Sequence, residues 1–167
     1  MNPNPLAWPF RVQYLLGFLV CVGLLGYAVY VQAALGIEPC PLCIFQRIAF
    51  MIMAAFFLIG AIHGPGPTGR RVYALLVLLG GAAGIGVAAY HIWVQHQPPD
   101  PLAGCAPGFT YMVDNFPISK VLKMVFSGHA DCAVVNWTLF GFSMPEWTLL
   151  VFVLLVVGAV LAALRRR

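Results

Sequence analysis

Four stretches of the chain are apolar almost without interruption: Val12 to Val31, Ile44 to Ile62, Val72 to Val94 and Trp147 to Leu164. Each runs 18 to 23 residues. At about 1.5 Å of rise per residue, a helix of that length crosses the roughly 30 Å hydrocarbon core of a bilayer. Backbone polar groups in hydrocarbon must be paired within their own segment, so these stretches are predicted to be helices. The polar exceptions lie near the ends: Gln46 and Arg47 at the start of the second run, His91 close to the end of the third. The first run exceeds the ~7–15 apolar residues of a signal peptide, so it reads as a retained anchor, although Val31-Gln32-Ala33 loosely mimics a cleavage site. The predicted fold is all-α. It is a single polytopic membrane domain over 1–167, a four-helix transmembrane bundle with a long outer loop over 95–146.

Composition narrows the function classes. Only 8% of the 167 residues are charged, against about 25% in an ordinary soluble domain. Such a chain cannot cover a water-facing surface, which excludes a soluble enzyme, a disordered regulator and a nucleic-acid-binding module. The net charge of +4 is a topology signal rather than a binding patch. Arg11, Arg70, Arg71, Arg165, Arg166 and Arg167 fall on one side of the four spans. All five acids, with Arg47, Lys120 and Lys123, fall on the other. The excess of basic residues marks the cytoplasmic face, so both termini are expected inside and the long loop outside. Trp93 and Trp147 bracket that loop where an interfacial aromatic belt is expected.

Between the second and third spans, Gly64-Pro65-Gly66-Pro67 predicts a tight inner turn. Pro98, Pro99 and Pro101 open the outer loop as an extended segment. From Ile118 to Phe126 apolar residues recur at helical spacing, which predicts a short helix, either lying on the membrane surface or packed on the spans.

Four of the five cysteines lie on the outer side, where disulfides persist. Cys21, in the middle of span one, reads as a small buried hydrophobe. Cys40-Pro41-Leu42-Cys43 opens span two. Proline favours the first helical position, which makes Cys40 the cap and Cys43 the third helical residue. The Cys43 sulfur then lies near unpaired backbone N–H groups at the positive end of the helix dipole. Arg47 follows four residues later on the same face. Both features favour thiolate over thiol. Three chemistries fit the pair: redox exchange, a static disulfide, or a metal site completed by Cys105, Cys132 and histidines. Redox exchange is favoured, because the Arg47 cation would repel a divalent metal. No metal is expected.

Arg47 at membrane depth is either functional or an arginine snorkelling to the headgroups. His91 lies at nearly the same depth by helical rise, and is either a donor at the site or simply packed. Two donors beside a thiolate at the edge of an apolar bundle suit a lipid-soluble carbonyl electron acceptor. His63, His96 and His129 carry no assigned role. Cys105 and Cys132 form a second outer pair, and thiol–disulfide exchange can pass two electrons between such pairs.

These residues resemble the bacterial DsbB family of membrane quinone–thiol oxidoreductases over nearly the whole chain. The resemblance rests on four spans, on Cys40-Pro41-Leu42-Cys43-Ile44-Phe45-Gln46-Arg47 and on His91-Ile92-Trp93. An outer cysteine pair, and Asn136-Trp137 through Phe142-Ser143-Met144-Pro145-Glu146-Trp147, complete it. Gln46 and Tyr90 stand where members of the family vary. The resemblance implies an inner-membrane enzyme within the relay that keeps the periplasm oxidising. It implies that Cys105 and Cys132 form the disulfide that oxidises a periplasmic, thioredoxin-like DsbA, with Cys105 making the mixed disulfide. It further implies that Cys132 connects to Cys40 and that Cys43 meets the quinone, ubiquinone or menaquinone. Arg47 and His91, with Met144 nearby, are implied to bind that quinone. Two other readings stay open: a thiol oxidase dedicated to a different periplasmic partner, and a metal-handling membrane protein.

Overall fold

The computed structural model describes residues 8–36, 39–97, 109–121, 130–133, 135 and 138–165. Four long helices dominate it: α1 (Phe10–Leu35), α2 (Pro41–His63), α3 (Pro67–Gln95) and, last in the chain, α6 (Met144–Leu164). Each contains one of the apolar runs, and each is long and apolar enough to cross a membrane. The helices outrun the apolar stretches because turn chemistry, not hydropathy, ends them. Gly36 and Gly64 close α1 and α2 in the left-handed conformation that glycine adopts without a Cβ clash. Pro41 and Pro67 start α2 and α3 just inside their caps. The inner turn is accordingly short, three residues between His63 and Pro67.

α1 packs on α2, α2 on α3, and α3 on α6, while α1 and α6 touch far less. The shared core holds Tyr14, Met53, Phe57, Val77 and Phe152, with Phe50 and Phe152 stacked at 4.0 Å. Cys21 is fully buried in this core, as a small hydrophobe would be. The outward faces are apolar as well; Leu19, Val29, Leu79 and Leu154 are all more than half exposed. That is the surface a lipid-facing bundle requires.

The outer segment adds short elements. α4 (Phe109–Asn115) and α5 (Ala130–Ala133) are helical, and 118–121 form one further helical turn after Pro117. Ile118 of that turn is exposed, whereas Val121 packs with Leu42, Val94 and Cys132. The remainder of the surface helix anticipated over 118–126, the proline-rich opening of the loop, and Cys105 lie outside the described residues. β1 (Thr138–Leu139) and β2 (Phe142–Ser143) form a small antiparallel hairpin pairing Thr138 with Ser143, an addition to the all-α expectation. Its two turn residues, Phe140 and Gly141, both have positive φ, as the favoured two-residue hairpin turn demands. The hairpin leads directly into α6, where Ser143 and Glu146 form a capping box.

Candidate functional site

The start of α2 has the anticipated local form. Cys40 is the extended N-cap residue, Pro41 occupies the first turn, and the Cys40 carbonyl accepts the first helical hydrogen bond from Ile44. One turn of helix therefore brings the two sulfurs together. The Cys40 thiol points at Cys43 with 3.2 Å between sulfurs, and both residues are half-buried.

Two further groups converge on Cys40 from other elements. His91, buried near the end of α3, places Nε2 3.7 Å from the Cys40 sulfur. Cys132, buried in α5, brings its sulfur to within 4.8 Å of both the Cys40 sulfur and a His91 nitrogen. Hydrogen bonding with Cys40 and burial push the Cys132 thiol well above its ordinary value. These three side chains could offer three ligand atoms to a metal. The same closeness is what sulfur-to-sulfur exchange between Cys40 and Cys132 requires.

Adjacent residues of α2 point to different neighbours. Gln46 is buried against α3 and α6: its amide nitrogen lies 3.2 Å from His91 Nδ1, and its carbonyl accepts from the Thr148 hydroxyl at 2.7 Å. Arg47 instead reaches across to α1. It donates to Gln32 Oε1 at 2.7 Å and to the Ala28 carbonyl at 3.2 Å. On the far side of the site, the Ser143 hydroxyl lies 3.0 Å from Gln95 Oε1, linking the end of α3 to the start of α6.

Cys40, Cys43, Gln46, Arg47, His91, Gln95 and Thr148 border one cleft of about 290 Å³ where α1 and α6 stand apart. Its walls are mostly apolar, with Leu24, Leu25, Val31 and Val151 among them. Cys40, Cys43, Gln46, Arg47, His91 and Met144 line its polar end. The size and the mixture of an apolar body with a few convergent donors suit a flat, largely apolar small molecule carrying carbonyl oxygens. Six of the seven site residues anticipated from the sequence thus meet around the cleft: five line it, and Cys132 adjoins Cys40 behind it. Cys105 is the seventh.

Comparison with known proteins places the chain in a family. The family model for "Disulfide bond formation protein DsbB" matches residues 10–162. The chain belongs to the DsbB family. It is 47% identical over 165 residues to "Disulfide bond formation protein B" of Xanthomonas euvesicatoria, covering 98% of this chain and 96% of that one. The protein of the same name from Methylobacillus flagellatus is 46% identical over 157 residues, 94% of this chain and 95% of its own. "Disulfide bond formation protein B 1" of Pseudomonas aeruginosa is 46% identical over 162 residues, 97% of this chain and 99% of its own. As a DsbB-family chain with four membrane-crossing helices, this is a multi-pass membrane oxidoreductase of disulfide bond formation.

Three polar residues of this DsbB-type site carry no motif in the sequence: Gln32, Gln95 and Thr148. Each is a single amide or hydroxyl at the outer end of a span. A polar group at that depth is itself the available signal, because hydrocarbon tolerates it only when it is paired.

Proposed function

We propose that this protein re-oxidises a periplasmic, thioredoxin-like DsbA and passes the electrons to a membrane quinone, ubiquinone or menaquinone. The observation that carries the reading is the cleft itself, where a cysteine pair, an arginine and a histidine share one apolar pocket. The asymmetry of basic residues supports an inner-membrane orientation with both termini in the cytoplasm and the loop in the periplasm.

The electron count closes. The carrier dithiol is oxidised as the Cys105–Cys132 disulfide is reduced, with Cys105 forming the transient mixed disulfide. Exchange from Cys132 to Cys40 then re-forms the Cys105–Cys132 disulfide as the Cys40–Cys43 disulfide is reduced, and re-oxidation of that dithiol forms one S–S bond and releases two electrons and two protons. A bound quinone supplies an acceptor for both. Cys43 faces the cleft and would be the sulfur nearest the ring. Arg47, fixed by α1 and retaining unused N–H donors, would hold one carbonyl oxygen. His91 would hold a proton at Nε2 beside Cys40, and Met144 would close the outer wall. The bundle's apolar walls would exclude water from the sulfurs.

Anaerobic mixing of the purified protein with a reduced thioredoxin-like dithiol protein and a soluble quinone analogue tests this. One quinone reduced per carrier dithiol consumed is expected, and Cys105→Ser should abolish transfer from the protein dithiol. No change in quinone absorbance, with a metal bound stoichiometrically instead, would replace the enzyme reading with a metal-handling one.

A further inference from the structure

Five polar groups from three helices form a single directed chain. The Thr148 hydroxyl of α6 reaches Gln46 Oε1 at 2.7 Å, and Gln46 Nε2 reaches His91 Nδ1 at 3.2 Å. His91 Nε2 faces the Cys40 sulfur at 3.7 Å, and the Cys40 thiol points at Cys43 at 3.2 Å. An amide nitrogen only donates, so Nδ1 must accept, and a neutral imidazole then carries its proton on Nε2. Thr148 fixes which end of the Gln46 amide faces the histidine. That hydroxyl has a single proton and two acceptors in reach, Gln46 Oε1 at 2.7 Å and the Pro145 carbonyl at 2.9 Å; the shorter contact takes it, so Oε1 faces Thr148 and Nε2 faces His91.

We propose that Gln46, oriented by Thr148, is a positioning residue that keeps the His91 proton on Nε2, aimed at the sulfur of Cys40. When Cys40 exchanges with Cys132 its sulfur carries negative charge, either as attacking thiolate or as leaving group. An N–H donor already aimed at that sulfur stabilises the charge without reorganising. No proton need leave the histidine in this step; the N–H···S contact strengthens as the charge grows. The kinetic consequence rests on the function proposed above, whereas the position of the proton does not.

The test therefore has two readouts. In protein carrying ¹⁵N-histidine, long-range ¹H–¹⁵N spectra identify the protonated ring nitrogen, with the His91 signals assigned by their loss in His91→Gln. The wild type should show an unprotonated, hydrogen-bonded Nδ1 and a protonated Nε2. Gln46→Leu should leave Nδ1 without its partner and shift its resonance, and Gln46→Glu should move the proton onto Nδ1. Thr148→Val is nearly isosteric and guards against a folding defect. It should shift the same resonance in the same direction, and Thr148→Ser should restore it.

In turnover, Gln46→Leu should lower kcat about tenfold, roughly the loss of one hydrogen bond at the transition state, with the KM for the protein dithiol unchanged. A wild-type proton on Nδ1, or an Nδ1 resonance indifferent to Gln46→Leu and Thr148→Val, would overturn the proposal. So would a shifted tautomer with kcat unaffected. A wild-type protein that reduces no quinone would instead sink the proposed function, and the spectra would still decide where the proton sits.

Discussion

Helix α6 meets α3 along one side and α1 along the other, and different residues meet at the two seams. Against α3, glycines admit the neighbour's side chains: a Cβ at Gly84 would lie 2.5 Å from the Phe152 ring, and one at Gly81 would collide with Val156. Small residues let membrane helices approach closely, where packing rather than water drives association. Against α1, no such pair closes the gap at the outer end, and the space is bordered by Arg47, Thr148 and the cysteine pair. One seam is sealed where glycines admit side chains; the other leaves a mostly apolar cleft with polar groups on its border. Breaking the sealed seam should have the largest effect. Gly84→Leu must force α3 and α6 apart, an overpacking worth about 1–3 kcal/mol or more. Gly86, two residues further along and on a side where a Cβ meets nothing, is the control. Thermal unfolding in detergent should show Gly84→Leu strongly destabilised and Gly86→Leu near wild type. Equal behaviour of the two would mean that the glycine seam does not hold the bundle.

A second contrast lies within the reactive end, between the cysteines of the cleft and Cys132. Cys132 is buried with Leu42, Val94 and Val121. Its contact with Cys40 and its burial raise the thiol well above the ordinary value. The sign follows directly: a raised thiol stays protonated through neutral pH, and only the thiolate reacts with an alkylating agent. In the fully reduced protein, labelling of Cys132 should be slow at pH 7 and should still climb about tenfold per pH unit above pH 9. An ordinary thiol levels off there. Because slow access alone would lower the rate without removing that plateau, the slope separates the two causes. A plateau near pH 9 would show that Cys132 is merely sheltered.

What could be read from the sequence follows the range of the forces involved. The four helices and the Cys40 cap depend on neighbours a few residues away, and hydropathy with Pro41 sufficed to anticipate them. The 138–143 hairpin escaped notice because its turn carries Phe140-Gly141 rather than the asparagine or aspartate that usually signals one. At the site, the nearness of His91 and Arg47 to the cysteine pair follows from their shared depth at the outer ends of the spans, whereas Met144 enters only through the family resemblance. Their partners do not follow from depth. Gln46 and Thr148 are 102 residues apart in sequence, and Arg47 finds Gln32 only once α1 has docked on α2. Such pairings are tertiary, and no local pattern encodes them.

The smallest effect concerns how the open seam holds its arginine. Arg47 was expected either to serve the site or to reach for headgroups, and its contacts with Gln32 and Ala28 aim it along α1 at the edge of the cleft. Arg47→Ala should raise the apparent KM for quinone about tenfold, the scale of one hydrogen bond from a charged donor. Gln32→Ala removes one of the two anchors and leaves the Ala28 carbonyl, so its effect should be smaller, about threefold by the same scale. Arg47→Lys keeps the charge but loses the planar fork, and should fall between them. If Arg47→Ala leaves quinone kinetics unchanged, the arginine only snorkels. If Gln32→Ala matches Arg47→Ala, the aim of the guanidinium matters as much as its charge, and α1 is part of the site rather than a wall beside it.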